Sequence, residues 1–338
     1  MTPKAAGFHM PAEWALHEAT WLAWPHNQDD WPDRFEPIPW VYGEIVRKLA
    51  GVERVRILVQ DEEIEQSARA VLKKVGAQCE AVDFYRVHTD RVWTRDFAPS
   101  FVTQASTREV GAVKWRFNAW AKYDNWQRDD AAGARIPTLA GKRSWTAPLV
   151  LEGGSIEVNG NGWLMTTEEC LLSPIQARNP GLSREQLETT MSEYLGVDRF
   201  LWLRNGIAGD DTHGHIDDLA RFVDPNTIVI ASEPDKSDAN YEPLRENREI
   251  LKGYPFRVID LPMPAPVIFD GQRLPASYAN FYLANDIALV PTFNDPNDRI
   301  ALGLLAGAMP GRRIIGINCV ELVLGLGTLH CMTQQQPA

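Results

Sequence analysis

The stretch GHIDDLARFVDPNTIVIAS, residues 214–232, holds two apolar runs, LARFV and TIVIA, on either side of Asp224-Pro225-Asn226. Turn residues between two such runs predict a β-hairpin. His215 and Asp217 stand two positions apart at its head, a spacing that on a strand puts both side chains on one face. A helical pattern follows, YEPLRENREILKGY at 241–254, and then a second apolar run, PFRVIDLP at 255–262. The segment as a whole therefore reads as strand–strand–helix–strand.

The same order recurs outward from it. Hairpin patterns lie at 95–115 (RDFAPSFVTQASTREVGAVKW), at 152–173 (EGGSIEVNGNGWLMTTEECLLS, turning at Asn-Gly) and at 278–293 (YANFYLANDIALVPTF). Helix-then-strand pairs occur at 39–60, 62–87, 183–206 and 297–319, which with 241–262 makes five. In the helix at 62–75, Ile64, Ala68, Val71, Leu72 and Val75 form one stripe. Ser183 and Gln186 form a capping-box pattern ahead of Leu187, Met191, Tyr194 and Leu195. A repeat of roughly 50–70 residues outranks other evidence on architecture. No Gly- or Ser-rich linker splits the chain, so residues 1–338 are expected to form one α/β domain, a ring of five repeated units. The last unit would borrow its opening strand from one end of the chain.

The composition narrows the function. Of 338 residues, 44% are hydrophobic, ample for a large core, and the net charge of −11 argues against a nucleic-acid partner. The cysteines at 79, 170, 319 and 331 have no CxxC pair, which argues against disulfides and a structural zinc. The N-terminus lacks a signal-peptide pattern, and no apolar run reaches the roughly 18 residues of a membrane span. A soluble, reduced, cytoplasmic protein without membrane contact is expected. Cys79, Cys170 and Cys319 read as core thiols, Asp210 and Asp211 as loop or capping residues, and most of the 12 Trp as packing.

The chemistry-bearing residues occupy equivalent places in the repeat. Asp96 opens the first hairpin, Glu152 the second, and His215 with Asp217 the third. Cys331 stands just before the C-terminal tail at what would be a further strand head. In a closed ring these ends converge on one axis. Taken singly, each has an ordinary reading: Arg95-Asp96 and Glu-Gly-Gly as turns, His213 and His215 as half of a metal site lacking a third ligand, and His330 as structural, facing away from Cys331. Together they suit a planar guanidinium, which carboxylates hold by bidentate charge-assisted hydrogen bonds. Asp96 and Asp217 would grip two edges, Glu152 would hold a third or tune His215, Cys331 would attack the central carbon, and His215 would move the protons. Glycines 153, 154, 325 and 327 would allow close backbone approach.

Several longer stretches carry a family resemblance: MPAEWALHEATWLAWP (10–25), VWTRDFAPSFV (92–102), FNAWAKYDNW (117–126), RNPGLSREQLE (178–188), PASYANFYLAND (275–286), FNDPNDRIAL (293–302) and HCMTQQQP (330–337). With them, the chain resembles the agmatine deiminase family, the bacterial peptidyl-arginine-deiminase-like branch of the guanidine-modifying enzymes. The resemblance implies a five-bladed α/β propeller, the pentein fold, of ββαβ units with pseudo-fivefold symmetry. It implies catalytic Cys331 and His215, guanidinium-holding Asp96 and Asp217, Glu152 beside them, and Trp93 as a substrate contact. It implies hydrolysis of agmatine to N-carbamoylputrescine and ammonia through a covalent Cys thiouronium, a reaction of polyamine biosynthesis. Neither metal nor organic cofactor is implied, and the partner would be a small cationic guanidine, with a homo-oligomer possible.

The chain departs from the family pattern in places. Many members have Asp-Gly-His where this chain has His213-Gly214-His215, Arg-Asp-Thr-Gly-Pro at Arg95–Pro99, and Gly-Gly-Gly-Asn-Ile at Gly325–Leu329. The matched Cys, His, Asp and Glu survive, so the departures bear on specificity, and His213 is expected to make the mouth less anionic. Trp- and Asp-rich segments at 26–40 and 118–135 are candidate lids. The alternatives are another guanidine substrate (arginine or peptidyl-arginine), amidine transfer to an amine, and a non-catalytic propeller that only binds.

Overall fold

The computed structural model describes residues 1–338 and contains five sheets of three or four strands. The stretch that opened the reading forms one of them. Ala220–Asp224 pairs antiparallel with Thr227–Ser232 around the expected turn. Tyr241–Leu251 forms the helix, and Arg257–Pro262 returns parallel to Thr227–Ser232. The central strand is paired on both edges and is buried from Thr227 to Ala231, which explains its unbroken apolar run.

Three other units share this order. They are Ser100–Gln104, Glu109–Arg116, helix Gln127–Leu139 and Arg143–Val150; Glu157–Val158, Trp163–Thr167, helix Arg184–Leu195 and Arg199–Leu203; and Tyr282–Ala284, Ile287–Thr292, helix Pro296–Ala308 and Arg313–Asn318. The fifth unit is completed from both ends of the chain. Gln334–Pro337 pairs antiparallel with His17–Ala23, which pairs parallel with Arg54–Val59 across helix Ile38–Leu49. The borrowed opening strand is therefore the polar tail. Gln336 is fully buried and accepts from Trp21 Nε1 at 2.9 Å.

Polar contacts join each unit to the next and close the ring. Arg95 Nη1 donates to Gln335 Oε1 at 2.7 Å, and Gly154 N donates to Asp96 Oδ1 at 3.0 Å. Arg221 Nε donates to Glu157 Oε2 at 3.0 Å, and Arg221 Nη1 donates to the Phe281 carbonyl at 2.6 Å. Tyr282 OH and Thr20 Oγ1 lie 2.7 Å apart, which joins the last unit to the one made from both termini. The chain is a five-bladed α/β propeller.

One element of the repeat was misassigned by sequence. The helix at 62–75 forms as Glu62–Val75, with Asp61 as its N-cap and Gly76 in the left-handed region as its C-cap, but it leads to an extra strand, Val82–Arg86. The repeat helix of the second blade is Gln127–Leu139, which lies partly in the segment read as a lid. Gly133, Pro137 and an acidic first turn mask its short apolar face of Ala132, Gly133, Ile136 and Pro137. No helix is long and apolar enough to cross a membrane.

Gly133 links this helix to the site. A Cβ built there would lie 1.9 Å from the Phe97 carbonyl oxygen, in the short helix Thr94–Phe97 that carries Asp96. Gly133→Ala should gain about 1 kcal/mol of helix propensity. Overpacking against a fixed backbone should cost about 1–3 kcal/mol or more. A lower denaturant midpoint for the variant is the expected outcome, and an unchanged or higher one would mean that the helix can shift freely.

Candidate active site

Each blade opens with a tight turn at the inner end of its first strand, and the polar residues sit in these turns. Asp96 lies in Thr94–Phe97, Glu152 caps the 3-10 turn Gly153–Ser155, and His215 caps the 3-10 turn Ile216–Asp218. His215 and Asp217 therefore share a turn, not the strand face predicted for them, and the turn still brings both side chains to one place. His215 Nδ1 lies 4.0 Å from Asp96 Oδ1 and 3.9 Å from Asp217 Oδ1, and Nε2 lies 3.6 Å from Glu152 Oε2. Cys331 Sγ lies 3.8 Å from Asp217 Oδ2. All five are buried.

Gly154 sits at the meeting point. A Cβ there would lie 2.6 Å from His215 Nδ1, 2.9 Å from Asp96 Oδ1 and 3.0 Å from Asp217 Oδ2. Gly327 lets Cys331 and Trp93 close up, and Gly325 does the same for Trp31, on which Trp93 packs with ring centroids 5.8 Å apart. Both His215 nitrogens and Asp217 Oδ1 are buried without a hydrogen-bond partner. Such atoms are costly unless a ligand satisfies them.

Above these groups opens a cavity of about 500 Å³. Cys331, Asp96, Trp93, Trp120 and Tyr123 line it, while His215, Asp217 and Glu152 pack behind its wall. Four further acids reach it, Asp29, Asp30, Asp211 and Asp270, against one cation, Arg91. That cation is engaged: Nη1 donates to the Asn125 carbonyl at 2.8 Å, Nε is 3.7 Å from Asp30, and the guanidinium sits 4.4 Å from the Tyr123 ring centre. Segments 26–40 and 118–135 supply much of the wall, including Asn27, Pro32 and Asn125.

The charges settle unevenly. Burial pushes the Cys331 thiol well above the ordinary range, and the Asp217, Asp218 and Asp96 charges push it further. Burial raises Asp96 to about 6, despite the opposing charge of His215. Burial alone would lower the His215 value, but Asp96, Cys170 and Glu152 outweigh it and raise it well above the ordinary imidazole range. For Glu152, burial is overcome chiefly by Arg178 and then His215, which hold the carboxylate at about 2. For Asp217, burial is overcome by His330 and His215, and its value falls. The shifts thus favour a protonated imidazole beside a protonated sulfur.

Several contributors escaped the sequence reading. Trp120 donates from Nε1 to Asp96 Oδ2 at 2.9 Å, held by a left-handed turn in which Ala119, Trp120 and Ala121 have φ of 48°, 58° and 53°. Asn280 donates to Cys331 Sγ at 3.1 Å from the one blade head for which no residue was nominated; the repeat itself pointed to that position. Arg178 Nε donates to Glu152 at 3.2 Å. Cys170 is no simple core thiol, since its sulfur lies within 4.8 Å of Glu152 and His215 atoms, and Cys79 is exposed. Asp210 does cap a turn, accepting from Gly214 N and His215 N at 2.8 and 2.9 Å. His330 faces the opposite way from Cys331, as expected, but its Nδ1 lies 2.7 Å from Asp217 Oδ2 and so ties it to the site. His213 is absent from the cavity wall; it pairs with Glu169 at 3.7 Å and Ser173 at 3.1 Å, so the mouth keeps its acids.

Residues 9–337 match the model of the Porphyromonas-type peptidyl-arginine deiminase family. The chain belongs to that family. It is 37% identical to the agmatine deiminase of Ectopseudomonas mendocina, over 100% of this chain and 97% of the relative. The solved agmatine deiminase of Enterococcus faecalis superposes with a TM-score of 0.92 at 33% identity, covering 99% of this chain and 97% of the other. A C. jejuni agmatine deiminase variant with substrate bound superposes with a TM-score of 0.90 at 32% identity, covering 98% and 96%.

The Glu152–Arg178 pair gives this family member a measurable pH signature. Depression of Glu152 from 4.5 to about 2 is worth about 3 kcal/mol of stability at neutral pH. That contribution is complete above the unfolded value of 4.5 and fades as pH falls toward 2. Glu152→Gln should therefore unfold at lower denaturant than the parent at pH 6, and the gap should shrink as pH drops below about 4.5. A gap independent of pH would show that Glu152 is not held as a buried carboxylate.

Proposed function

We propose that the protein hydrolyses agmatine to N-carbamoylputrescine and ammonia, with Cys331 as nucleophile. The observation that carries this reading is the convergence of Cys331, His215 and two acids beneath a cavity whose single Arg is already engaged. Asp96 and the free Oδ1 of Asp217 grip the guanidinium, and Trp93 and Trp120 flank the aliphatic chain. Asp29 and Asp270 favour an ammonium at the far end, whereas Asp211 is already paired with Lys122 and burial raises Asp30 to about 7. A free amino acid would bring its α-carboxylate against these acids. Arg95 points away from the cavity, donating to Gln335 and Glu13 in the core.

Chemistry begins when the bound cation offsets the acids that hold Cys331 as a thiol, so that the thiol gives its proton to solvent water as substrate enters and takes one back when the C–S bond later breaks. The sulfur adds to the guanidinium carbon, and the C–N bond to the outer nitrogen breaks as His215 delivers its proton. Ammonia leaves, and a thiouronium remains on Cys331. Water then gives a proton to His215 and adds to the same carbon. The C–S bond breaks and the urea product departs with the substrate's remaining atoms. Glu152 keeps the imidazole cationic for the first step. The partner is thus a small cationic guanidine, and four unpaired cysteines suit the reducing cytoplasm.

Ammonia release from agmatine, arginine, peptidyl-arginine and methylated arginines tests the reading. Agmatine should exceed arginine in kcat/KM by about 100-fold or more, since a like-charge contact costs several kcal/mol. Cys331→Ser should lose about 10⁴-fold or more of the rate. Comparable turnover of arginine, or a Ser variant that still releases ammonia freely, would overturn it.

A further inference from the structure

Glu13 lies far from the reactive sulfur in sequence and is absent from the cavity wall, yet every polar group around it leads to the site. It is buried, and three basic side chains reach its Oε2. His330 Nε2 lies at 2.7 Å, Arg221 Nη2 at 2.9 Å and Arg95 Nη2 at 3.4 Å, while Oε1 accepts from Leu283 N at 2.8 Å. Two of these side chains are chain neighbours of site residues: Arg95 precedes Asp96, and His330 precedes Cys331. The two dipeptides are clipped together, with Arg95 N donating to the Cys331 carbonyl at 3.1 Å and Arg95 Nε to the His330 carbonyl at 3.3 Å. In each pair one side chain points to the cavity or its floor and the other points to Glu13.

The His330 ring continues the line. Its Nδ1 lies 2.7 Å from Asp217 Oδ2, so the imidazole bridges Glu13 and Asp217 with both nitrogens occupied. Glu13 and Asp217 are both held below the ordinary carboxylate range, against the effect of burial, Glu13 chiefly by Arg221 and Asp217 chiefly by His330. The ring thus faces a carboxylate oxygen at each nitrogen. Asp217 is fixed by one oxygen, Oδ2, and its other oxygen, Oδ1, is left unpartnered toward His215. A carboxylate free at both oxygens would turn, and would present no single edge to a guanidinium.

We propose that Glu13 and His330 are positioning residues that clamp Asp217 by Oδ2 and reserve Oδ1 for the guanidinium of the substrate. The proposal rests on the reading that Asp217 binds the guanidinium head. It does not depend on which guanidine is turned over. Glu13 and His330 touch no substrate; they act through Asp217.

The test is a binding cycle in the Cys331→Ser protein, where chemistry is blocked, with agmatine titrated by calorimetry. Glu13→Gln and His330→Gln should each weaken binding by about tenfold, and Asp217→Asn by at least as much. The decisive readout is non-additivity: Glu13→Gln combined with Asp217→Asn should bind within about twofold of Asp217→Asn alone, because the clamp then has nothing to hold. A scaffold role would instead multiply the two losses. Thermal unfolding and circular dichroism establish that each variant is folded. If Glu13→Gln fails to fold, His330→Gln, which leaves Glu13 paired with both arginines, carries the same cycle. Folded single variants that bind like the parent, or losses that multiply, overturn the clamp. If the parent binds no agmatine but another guanidine, the agmatine reading falls alone, and the cycle run with that guanidine decides the clamp. If it binds no guanidine, both fall.

Discussion

Packing Asp96, Asp217 and Glu152 around one imidazole in a dry interior is the constraint that shapes this protein. Carboxylates taken out of water are expensive unless paired and hydrogen-bonded. Each acid has its own compensation: Arg178 on Glu152, His330 on Asp217, and the Trp120 indole with the Gly154 amide on Asp96. The compensations are incomplete by design of the geometry. Asp217 Oδ1 and both His215 nitrogens are left without partners, and Asp96 is held near neutrality at about 6. On the proposed reading, a bound guanidinium would supply the missing cation and donors, and the same charges that would receive it raise the Cys331 thiol in its absence.

The ring serves this arrangement. Five turns at the heads of five first strands meet at the centre, so residues separated by hundreds of positions become neighbours without any long loop. The closure is made by polar side chains as much as by apolar packing. Arg221 reaches Glu157 on one side and the Phe281 carbonyl on the other, and Arg95 reaches Gln335 in the tail. Because the tail supplies the opening strand of the last blade, Cys331 is fixed by the whole fold and not by a fraying end.

Much of this was legible in the sequence. The hairpins and most helices follow local patterns, and the repeat exposed Asp96, Glu152, His215, Asp217 and Cys331 as equivalents. What stayed hidden has physical causes. The helix Gln127–Leu139 carries Gly133 because it must approach Phe97 closely, and with Pro137 also inside it the propensity is low and the pattern fades. Helix Glu62–Val75 has the stronger stripe but belongs to an extension of its sheet. Two-residue spacing for His215 and Asp217 assumed a strand where a 3-10 turn forms. Glu13, Arg178 and His330 matter through contacts across 26 to 317 positions, which no local window reveals.

The central claim is that acids from separate blades hold a guanidinium against Cys331. A crystal structure of the Cys331→Ala protein soaked with agmatine examines this most directly. The account predicts the planar head bonded to Asp96 and to Oδ1 of Asp217, its carbon facing residue 331, with the ammonium directed toward the acidic mouth. A reversed ligand with its ammonium on the floor, or a head bound away from Asp96 and Asp217, would contradict it.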